Sequence, residues 1–112
     1  MSDEATTVAQ LRRAIQTFVD ERDWRQFHTP KNLAMSLAIE AAELMEHFQW
    51  LDRDESIARG RDPARRGAIA DVCCYLLSLV NALDLDLSEI VRSKLVKNAE
   101  KYPAEKFRGR SE

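Results

Sequence analysis

The chain is poor in turn-forming residues, with only three glycines and three prolines among its 112 residues. An all-β sandwich needs a turn every ~8–12 residues, so that class is excluded. The apolar runs are broken by charge well before the ~20 residues of a membrane span, which predicts that no membrane is a partner. The first ten residues are acidic and polar and lack the basic and apolar segments of an export signal.

Cysteine is scarce as well, because the chain has only the adjacent pair Cys73 and Cys74. Neighbours in sequence cannot form the framework of disulfides that stabilises small secreted domains. The pair is interpreted as two small hydrophobic residues of the core. A reducing cytoplasm is therefore the expected location.

Neither sign of charge dominates, since 17 basic residues face 19 acidic ones and the net charge is −2. Proteins that coat nucleic acid are usually plainly basic, so nucleic acid is not an expected partner. A small anionic ligand stays open, because one local group of cations is enough to bind it.

Apolar residues recur at helical spacing along almost the whole chain, which predicts an all-α bundle of four to five helices. Helices are expected over about 6–22, 30–50 and 63–83, with a fourth between Asp86 and Pro103. Thr29 before Pro30 is typical of a helix start, and Asp86 with Glu89 has capping-box spacing. The charged connection 51–62 leaves room for a short helical turn. One domain over 1–112 is expected, with loose termini at about 1–5 and 104–112.

The third predicted helix is apolar on almost every side between Ile69 and Val80. Such a helix is buried all round, and a single four-helix chain rarely encloses one of its own helices completely. The pattern therefore predicts self-association into a homodimer or a larger oligomer.

Three acidic residues are candidates for a metal site. Asp71 interrupts the apolar third helix, and its helical neighbours Tyr75 and Ser78 carry no charge that could neutralise it. Glu40 and Glu43 share one face of the second helix, with Glu40 at a predicted core-facing position. Three such carboxylates suit Mg²⁺ or Mn²⁺. The alternatives are a solvated Glu-x-x-Glu face and an Asp71 that pairs with an arginine or a tyrosine.

Cations and aromatic residues complete the candidate site. Lys94, Asn98 and Lys101 share a face of the fourth helix just before Tyr102, which suits either a polyphosphate or ordinary solvent. Aromatic side chains flank the second helix and suit either stacking on a nucleotide base or packing at the edge of the core. These aromatic residues are Trp24, Phe27 and Trp50. His28 and His47 are interpreted as structural.

The chain resembles the all-α nucleoside triphosphate pyrophosphohydrolases, in the MazG-like branch that contains the dCTP pyrophosphatases. The resemblance spans about residues 8–105. Its motifs are Glu21–Leu33, Glu40-Ala41-Ala42-Glu43-Leu44 with Phe48-Gln49-Trp50, Asp71-Val72 with Tyr75-Leu76-Leu77, Ser93-Lys94 with Asn98, and Tyr102-Pro103. It implies obligate dimers, often paired into tetramers, and Mg²⁺-dependent cleavage of a nucleoside triphosphate to the monophosphate and pyrophosphate.

The resemblance also implies a role for each matching residue. Glu40, Glu43 and Asp71 correspond to catalytic metal-binding acids. The remaining matches correspond to substrate-binding positions, namely Trp24, Arg25, Gln26, Phe27, His28, Trp50, Tyr75, Lys94, Asn98 and Tyr102, with Asp71 counted among them. The implied substrate is dCTP or a related pyrimidine deoxynucleoside triphosphate.

Two positions depart from the family pattern. The family usually has a fourth metal-binding acid three residues before the aspartate, where this chain has Ala68. Vertebrate dCTP pyrophosphatases carry a histidine nine residues before the loop tryptophan, where this chain has Ile15. The first departure leaves an alternative function open, that of a catalytically impaired nucleotide-binding or helical interaction module.

Overall fold

A computed structural model describes residues 1–110, and every regular element in that range is helical. The helices are α1 Val8–Glu21, α2 Pro30–Glu46, α3 Arg53–Arg61, α4 Arg66–Ala82, α5 Leu87–Lys101 and α6 Ala104–Phe107. Three single 3₁₀ turns lie at Asp3–Ala5, Arg25–Phe27 and Pro63–Arg65. The predicted all-α class is confirmed.

Helices α2 and α5 begin where their sequence signals place them. The Thr29 side chain accepts a hydrogen bond from the Asn32 amide at 3.2 Å, and Pro30 occupies the first turn. The Asp86 carboxylate accepts from the Glu89 amide at 3.0 Å. These caps satisfy backbone donors that have no partner inside the helix, so they act locally and can be predicted from local sequence.

The end of α2 differs from the prediction. The helix was expected to reach about Trp50 but ends at Glu46, and residues 47–50 form hydrogen-bonded turns. The connection that follows contains a complete helix, α3, rather than a short turn. Its start is defined by Asp52, which accepts from the Glu55 amide at 2.8 Å.

Helix α4 is the centre of the fold and packs against both α2 and α1. Helices α2 and α4 run antiparallel, and the residues buried among α1, α2 and α4 form a small core. The apolar core residues are Val19, Leu33, Leu77 and Val80. Helix α1 is joined to α4 by a reciprocal pair, in which Arg12 Nε donates to Asn81 Oδ1 at 2.9 Å and Asn81 Nδ2 donates to the Arg12 carbonyl at 3.1 Å.

The first part of α4 is less covered than the rest, because none of residues 66–76 is buried whereas Leu77, Ser78 and Val80 are. In the single chain Cys73, Cys74 and Asp71 are exposed, so this chain alone does not bury them as the sequence predicts. The reason is that the helices of the described chain cover this part of α4 only incompletely. The radius of gyration is 16.9 Å, whereas a compact chain of this length has about 13 Å. The single chain therefore does not bury α4 on all sides, although the sequence pattern of this helix predicts such burial.

Helix α5 leaves α4 through a sharp turn. Asp84 adopts a left-handed conformation with φ 52°, and the Leu85 amide donates to the Val80 carbonyl at 3.1 Å.

Within the described residues no single helix is long and apolar enough to cross a membrane. Pro63–Ala82 and Leu87–Lys101 reach that length only together, across a 103° bend. Helix α5 contains no buried residue, and Leu95 and Val96 are 60% and 61% exposed.

Both predicted loose termini contain a short helical turn in the described range. At the carboxyl end the Phe107 ring packs edge-on against Tyr102, with 5.2 Å between ring centroids. Residues 111 and 112 lie outside the described residues. The looseness of these ends in solution stays a prediction.

Candidate functional site

Glu40, Glu43 and Asp71 lie close together across the α2–α4 contact, and we call them the acidic cluster. Glu40 is half-buried, whereas Glu43 and Asp71 are exposed. Partial burial, a side-chain hydrogen bond with Glu43 and the negative charges of Glu43 and Asp71 raise the pKa of Glu40 above its ordinary value. The expectation that Glu40 points towards the core is met in part, and its neighbours are more accessible than the sequence suggested.

No cation of the described chain neutralises the acidic cluster. The ion pairs found among residues 1–110 join Arg22 to Glu21 and Arg25 to Asp20, outside the cluster. The alternative in which Asp71 pairs with an arginine is therefore absent from this part of the chain. Like charges at short range disfavour the fully ionised state, so the cluster has a deficit of positive charge.

The carboxylates of the acidic cluster are suitable ligands for a divalent cation, although their side chains do not point to one common position. Among the described residues, no three His, Cys, Asp or Glu side chains are arranged to hold a metal ion. Carboxylate oxygens are the ligands that Mg²⁺ and Mn²⁺ prefer, and exposed Glu43 and Asp71 side chains are free to change rotamer. The residues therefore fit the ion after side-chain rotation, and their assignment as ligands stays a prediction.

The raised pKa of Glu40 predicts how stability depends on pH in the metal-free protein. A carboxyl whose pKa is higher in the folded state binds more protons there, so stability falls as pH rises through and above its ordinary range. Glu40→Gln removes this cost. We expect the variant to gain melting temperature relative to the unsubstituted protein at pH 7 and to gain less at pH 4.

Thermal unfolding in EDTA at the two pH values measures this difference. Glu46→Gln, an exposed substitution on the same helix, is the matched control and is expected to show no such pH dependence. An equal change at both pH values in Glu40→Gln would contradict the electrostatic origin of the shift.

The antiparallel register places Ala68 in the same row as the cluster. Glu40 interacts with Asp71, and about two helical turns away the His47 ring contacts Arg65 at 3.2 Å. One turn from Glu40 towards the end of α2 reaches Glu43, and one turn from Asp71 towards the start of α4 reaches Ala68. Because the helices are antiparallel, Glu43 and Ala68 lie opposite each other. A glutamate at position 68 would thus extend the acidic cluster, and the alanine leaves this place without a carboxylate.

Side-chain hydrogen bonds to preceding residues hold the loop before α2, which is the segment predicted to bind the base and sugar. Arg25 forms two hydrogen bonds with Asp20 at 3.0 and 3.1 Å. Gln26 Nε2 donates to the Asp23 carbonyl at 2.9 Å, and Asp23 has a left-handed φ of 53°. Arg25 and Gln26 are therefore occupied in shaping the loop, which sequence reasoning did not anticipate.

The three aromatic candidates differ in how they pack. Trp24 is 44% exposed and meets Phe18 edge-on, with 5.8 Å between ring centroids. Phe27 is 61% exposed and Trp50 is 88% exposed. Packing at the edge of the core explains the partial burial of Trp24, but Trp50 has no such packing in the single chain. The Trp50 ring is therefore accessible to a ligand or to another chain.

A cavity of about 180 Å³ lies between α1, the loop before α2, and α4. Its lining comprises Gln16, Val19, Arg25, His28, Ser78, Asn81 and Ala82. Ser78 is only 7% exposed and lies one turn beyond Tyr75 on the polar stripe that starts at Asp71. Gln16 and Asn81 were missed by sequence reasoning, because their place in the lining depends on how α1 packs on α4.

Helix α5 does not bring its polar residues to the acidic cluster within the described chain. Lys94 is exposed and Asn98 is half-buried. The Tyr102 amide donates to the Asn98 carbonyl at 2.8 Å, and Lys101 Nζ lies 5.3 Å from the centroid of the Tyr102 ring. Lys94, Asn98 and Tyr102 are thus neighbours of one another, and their contact with a nucleotide stays a prediction.

The helices, the acidic cluster and the loop together agree with one known family. A MazG-like family model matches residues 35–112, and the chain belongs to this family. Human dCTP pyrophosphatase 1 is 39% identical over 109 residues, and the mouse protein of the same name is 38% identical over 107 residues. These alignments cover 94% and 92% of this chain.

A solved structure supports the fold independently. The crystal structure of a pyrophosphatase from Archaeoglobus fulgidus has a TM-score of 0.79 and is 42% identical, covering 85% of this chain and 91% of that one. The chain spans 64% of the length of the human relative and 63% of the mouse relative. The resemblance inferred from the motifs is thereby confirmed.

Proposed function

We propose that this chain is a Mg²⁺-dependent nucleoside triphosphate pyrophosphohydrolase that converts dCTP, or a related pyrimidine deoxynucleoside triphosphate, to the monophosphate and pyrophosphate. The observation that carries this proposal is the acidic cluster, whose negative charge has no cation partner in the described chain. Similarity to dCTP pyrophosphatases supports the choice of substrate. The physiological role that follows is sanitation of the nucleotide pool.

Glu40, Glu43 and Asp71 would hold the divalent ion, and Mn²⁺ is the expected substitute for Mg²⁺. Dependence on a divalent metal is general in this family. Such an ion neutralises phosphate oxygens and lowers the pKa of water. One of the carboxylates would also orient the attacking water and accept its proton. Lys94, which α5 does not bring to the acidic cluster of its own chain, would offset the charge of phosphates bound to a second copy. The water oxygen forms a new bond to phosphorus, and the bridge between the α and β phosphorus atoms breaks as pyrophosphate leaves.

The base and sugar would lie between the loop before α2 and the stripe of Tyr75 and Ser78 on α4. A cavity of about 180 Å³ supports a single-ring base, since a cavity of about 150 Å³ is known to accept a benzene ring. Trp24 supplies a stacking surface beside the cavity, and His28 lines it. Trp50 lies beyond the other end of α2, so in this proposal it would contact the base bound to a second copy of the chain. Stacking alone tolerates every base, so the size of the cavity is the stronger argument for a pyrimidine.

Self-association belongs to the same proposal. The exposed face of α4 and the exposed apolar residues of α5 form a surface that a second copy of the chain would cover. Contiguous apolar surface of this kind is uncommon on a monomer. A homodimer, or two dimers paired as a tetramer, would enclose α4 on all sides, as its sequence pattern requires.

Leu95→Glu is expected to dissociate this oligomer. Leu95 is 60% exposed in the single chain, so a charge there costs the isolated fold about 0.5 kcal/mol or less. Light scattering of the unsubstituted protein should give two or four times 12.9 kDa, and the variant should give 12.9 kDa. Lys97→Glu on the same helix is the control and should keep the larger mass. A monomeric unsubstituted protein would contradict the proposal.

The proposed activity is tested by incubating the protein with Mg²⁺ and a panel of triphosphates: dCTP, dTTP, dUTP, dATP, dGTP and CTP. Pyrophosphate and the monophosphate are expected in equal amounts, with the highest kcat/KM for dCTP. Release of orthophosphate in place of pyrophosphate would reject this reaction class. Omission of the divalent ion should abolish turnover.

A second function is favoured by Ala68, which leaves the cluster one carboxylate short of the family pattern. In that case the chain binds nucleotide, or serves as a helical interaction module, without appreciable turnover. Calorimetric titration of Mg²⁺ with and without a non-hydrolysable dCTP analogue separates the two functions. Tight binding without pyrophosphate release would support the binding module.

A further inference from the structure

Two arginines from outside α2 contact His47, the residue that directly follows the last residue of that helix. Arg59 Nη1, from α3, donates to the His47 carbonyl at 3.1 Å. Arg65 Nη1, from the 3₁₀ turn before α4, lies 3.2 Å from His47 Nδ1. Arginine has only donors, so Nδ1 is the acceptor and a neutral ring carries its proton on Nε2. We call Arg59, Arg65 and His47 the His47 clamp.

The clamp satisfies a polar group that α2 cannot satisfy by itself. The His47 carbonyl is among the last carbonyls of the helix, which have no partner within it. A cation beside such a carbonyl also complements the negative end of the helix dipole. Arg65 makes its contact although its Nε is buried without a hydrogen-bond partner in the described chain. An unpaired buried donor is unfavourable, so hydrogen bonding of Arg65 Nε does not favour this position of the side chain.

The clamp contacts the residue from which the backbone leads to Trp50. Residues 47–50 form a turn directly after His47, and the Leu51 amide donates to the Phe48 carbonyl at 3.1 Å. Helix α3 also packs against this turn, because a Cβ atom at Gly60 would lie 3.4 Å from the Phe48 ring. Trp50 itself is 88% exposed. Its position in the chain therefore depends on the backbone of the turn rather than on packing of its ring.

We propose that Arg59 and Arg65 are positioning residues that, through His47, set the orientation of Trp50 and thereby the affinity of the site for a nucleotide base. This inference rests on the proposed function, in which Trp50 contacts the base. Positioning residues of this kind act on binding more than on chemistry, so they change KM more than kcat. A merely structural role would lower the melting temperature and leave both Trp50 and KM unchanged.

The first measurement follows Trp50 directly. Trp24→Phe leaves Trp50 as the sole tryptophan, since the chain has two. In this background Arg65→Met is expected to lower the fluorescence anisotropy of Trp50, because the turn loses one of its two attachments. Arg66→Met, an exposed neighbour, is the matched control and should leave the anisotropy unchanged. Equal anisotropy in the two variants would overturn the proposal.

The second measurement uses the chain with both tryptophans. For dCTP, Arg65→Met should raise KM by about tenfold, within the range typical of supporting residues, and leave kcat within about twofold. Arg65→Lys keeps a donor for Nδ1 and should restore KM. Unchanged KM in Arg65→Met, or a fall in kcat alone, would contradict positioning of the base.

Arg59→Met provides an independent variant if Arg65→Met fails to fold, because it removes the carbonyl contact and keeps the contact to the ring. It is expected to change anisotropy and KM in the same directions. If the unsubstituted protein hydrolyses no triphosphate, the proposed function fails, whereas the anisotropy comparison still decides whether the clamp orients Trp50.

Discussion

Asp71→Asn is expected to reduce pyrophosphate release from dCTP by at least about 100-fold at saturating Mg²⁺, because disturbing residues around a bound metal already costs 10–100-fold. Asparagine keeps the shape of the side chain and removes its charge. Asp71 is exposed on α4, so the substitution leaves packing intact. The loss of activity therefore measures the contribution of the Asp71 charge to the site.

Asp84→Asn serves as the control for this substitution. Asp84 lies just after α4 in a left-handed conformation, which asparagine also adopts readily. The control should retain activity and melting temperature. Turnover by Asp71→Asn within a few-fold of the unsubstituted protein would remove Asp71 from the proposed ligand set.

Ala68→Glu is expected to increase turnover by about tenfold or more, since it adds the carboxylate that the family pattern places there. The antiparallel register puts this position opposite Glu43, in the row of the acidic cluster. The same charge destabilises the metal-free protein, because it meets other carboxylates at short range. Melting temperature should therefore fall in EDTA and recover when Mg²⁺ is added.

Ala70→Glu is the matched control, because it adds the same charge to an exposed position of α4 that points away from the row. It should change neither turnover nor the response of the melting temperature to Mg²⁺. If a silent protein stays silent after Ala68→Glu, the binding-module function is favoured over the enzyme.

Features encoded by neighbouring residues could be predicted from the sequence. The starts of α2 and α5 followed from Thr29 and Asp86, whose side chains cap amides three residues further on. The end of α2 could not be predicted in this way. The carbonyl of His47, directly after the helix, is bound by Arg59, which is twelve residues away on another helix. Periodicity carries no information about such a contact.

The candidate site shows the same limit. That Glu40, Glu43 and Asp71 are neighbours could be predicted, because helical spacing and an antiparallel pair of helices bring them together. Their exposure could not be predicted from one chain. Apolar residues on every side of α4 indicate burial, but they do not say whether the same chain or another one supplies the cover. Gln16 and Asn81 lacked any sequence signal as cavity residues, because both depend on the α1–α4 contact.

Helix α5 gives the final consequence, because it carries Lys94 and Asn98 yet obtains little support from its own chain. With self-association as proposed, folding and assembly become one equilibrium, and mass action then governs the melting temperature. Dilution alone should lower the temperature of unfolding and the specific activity together. Abundance in the cell would thus act as a threshold, below which newly made chains stay incompletely ordered and open to proteolysis.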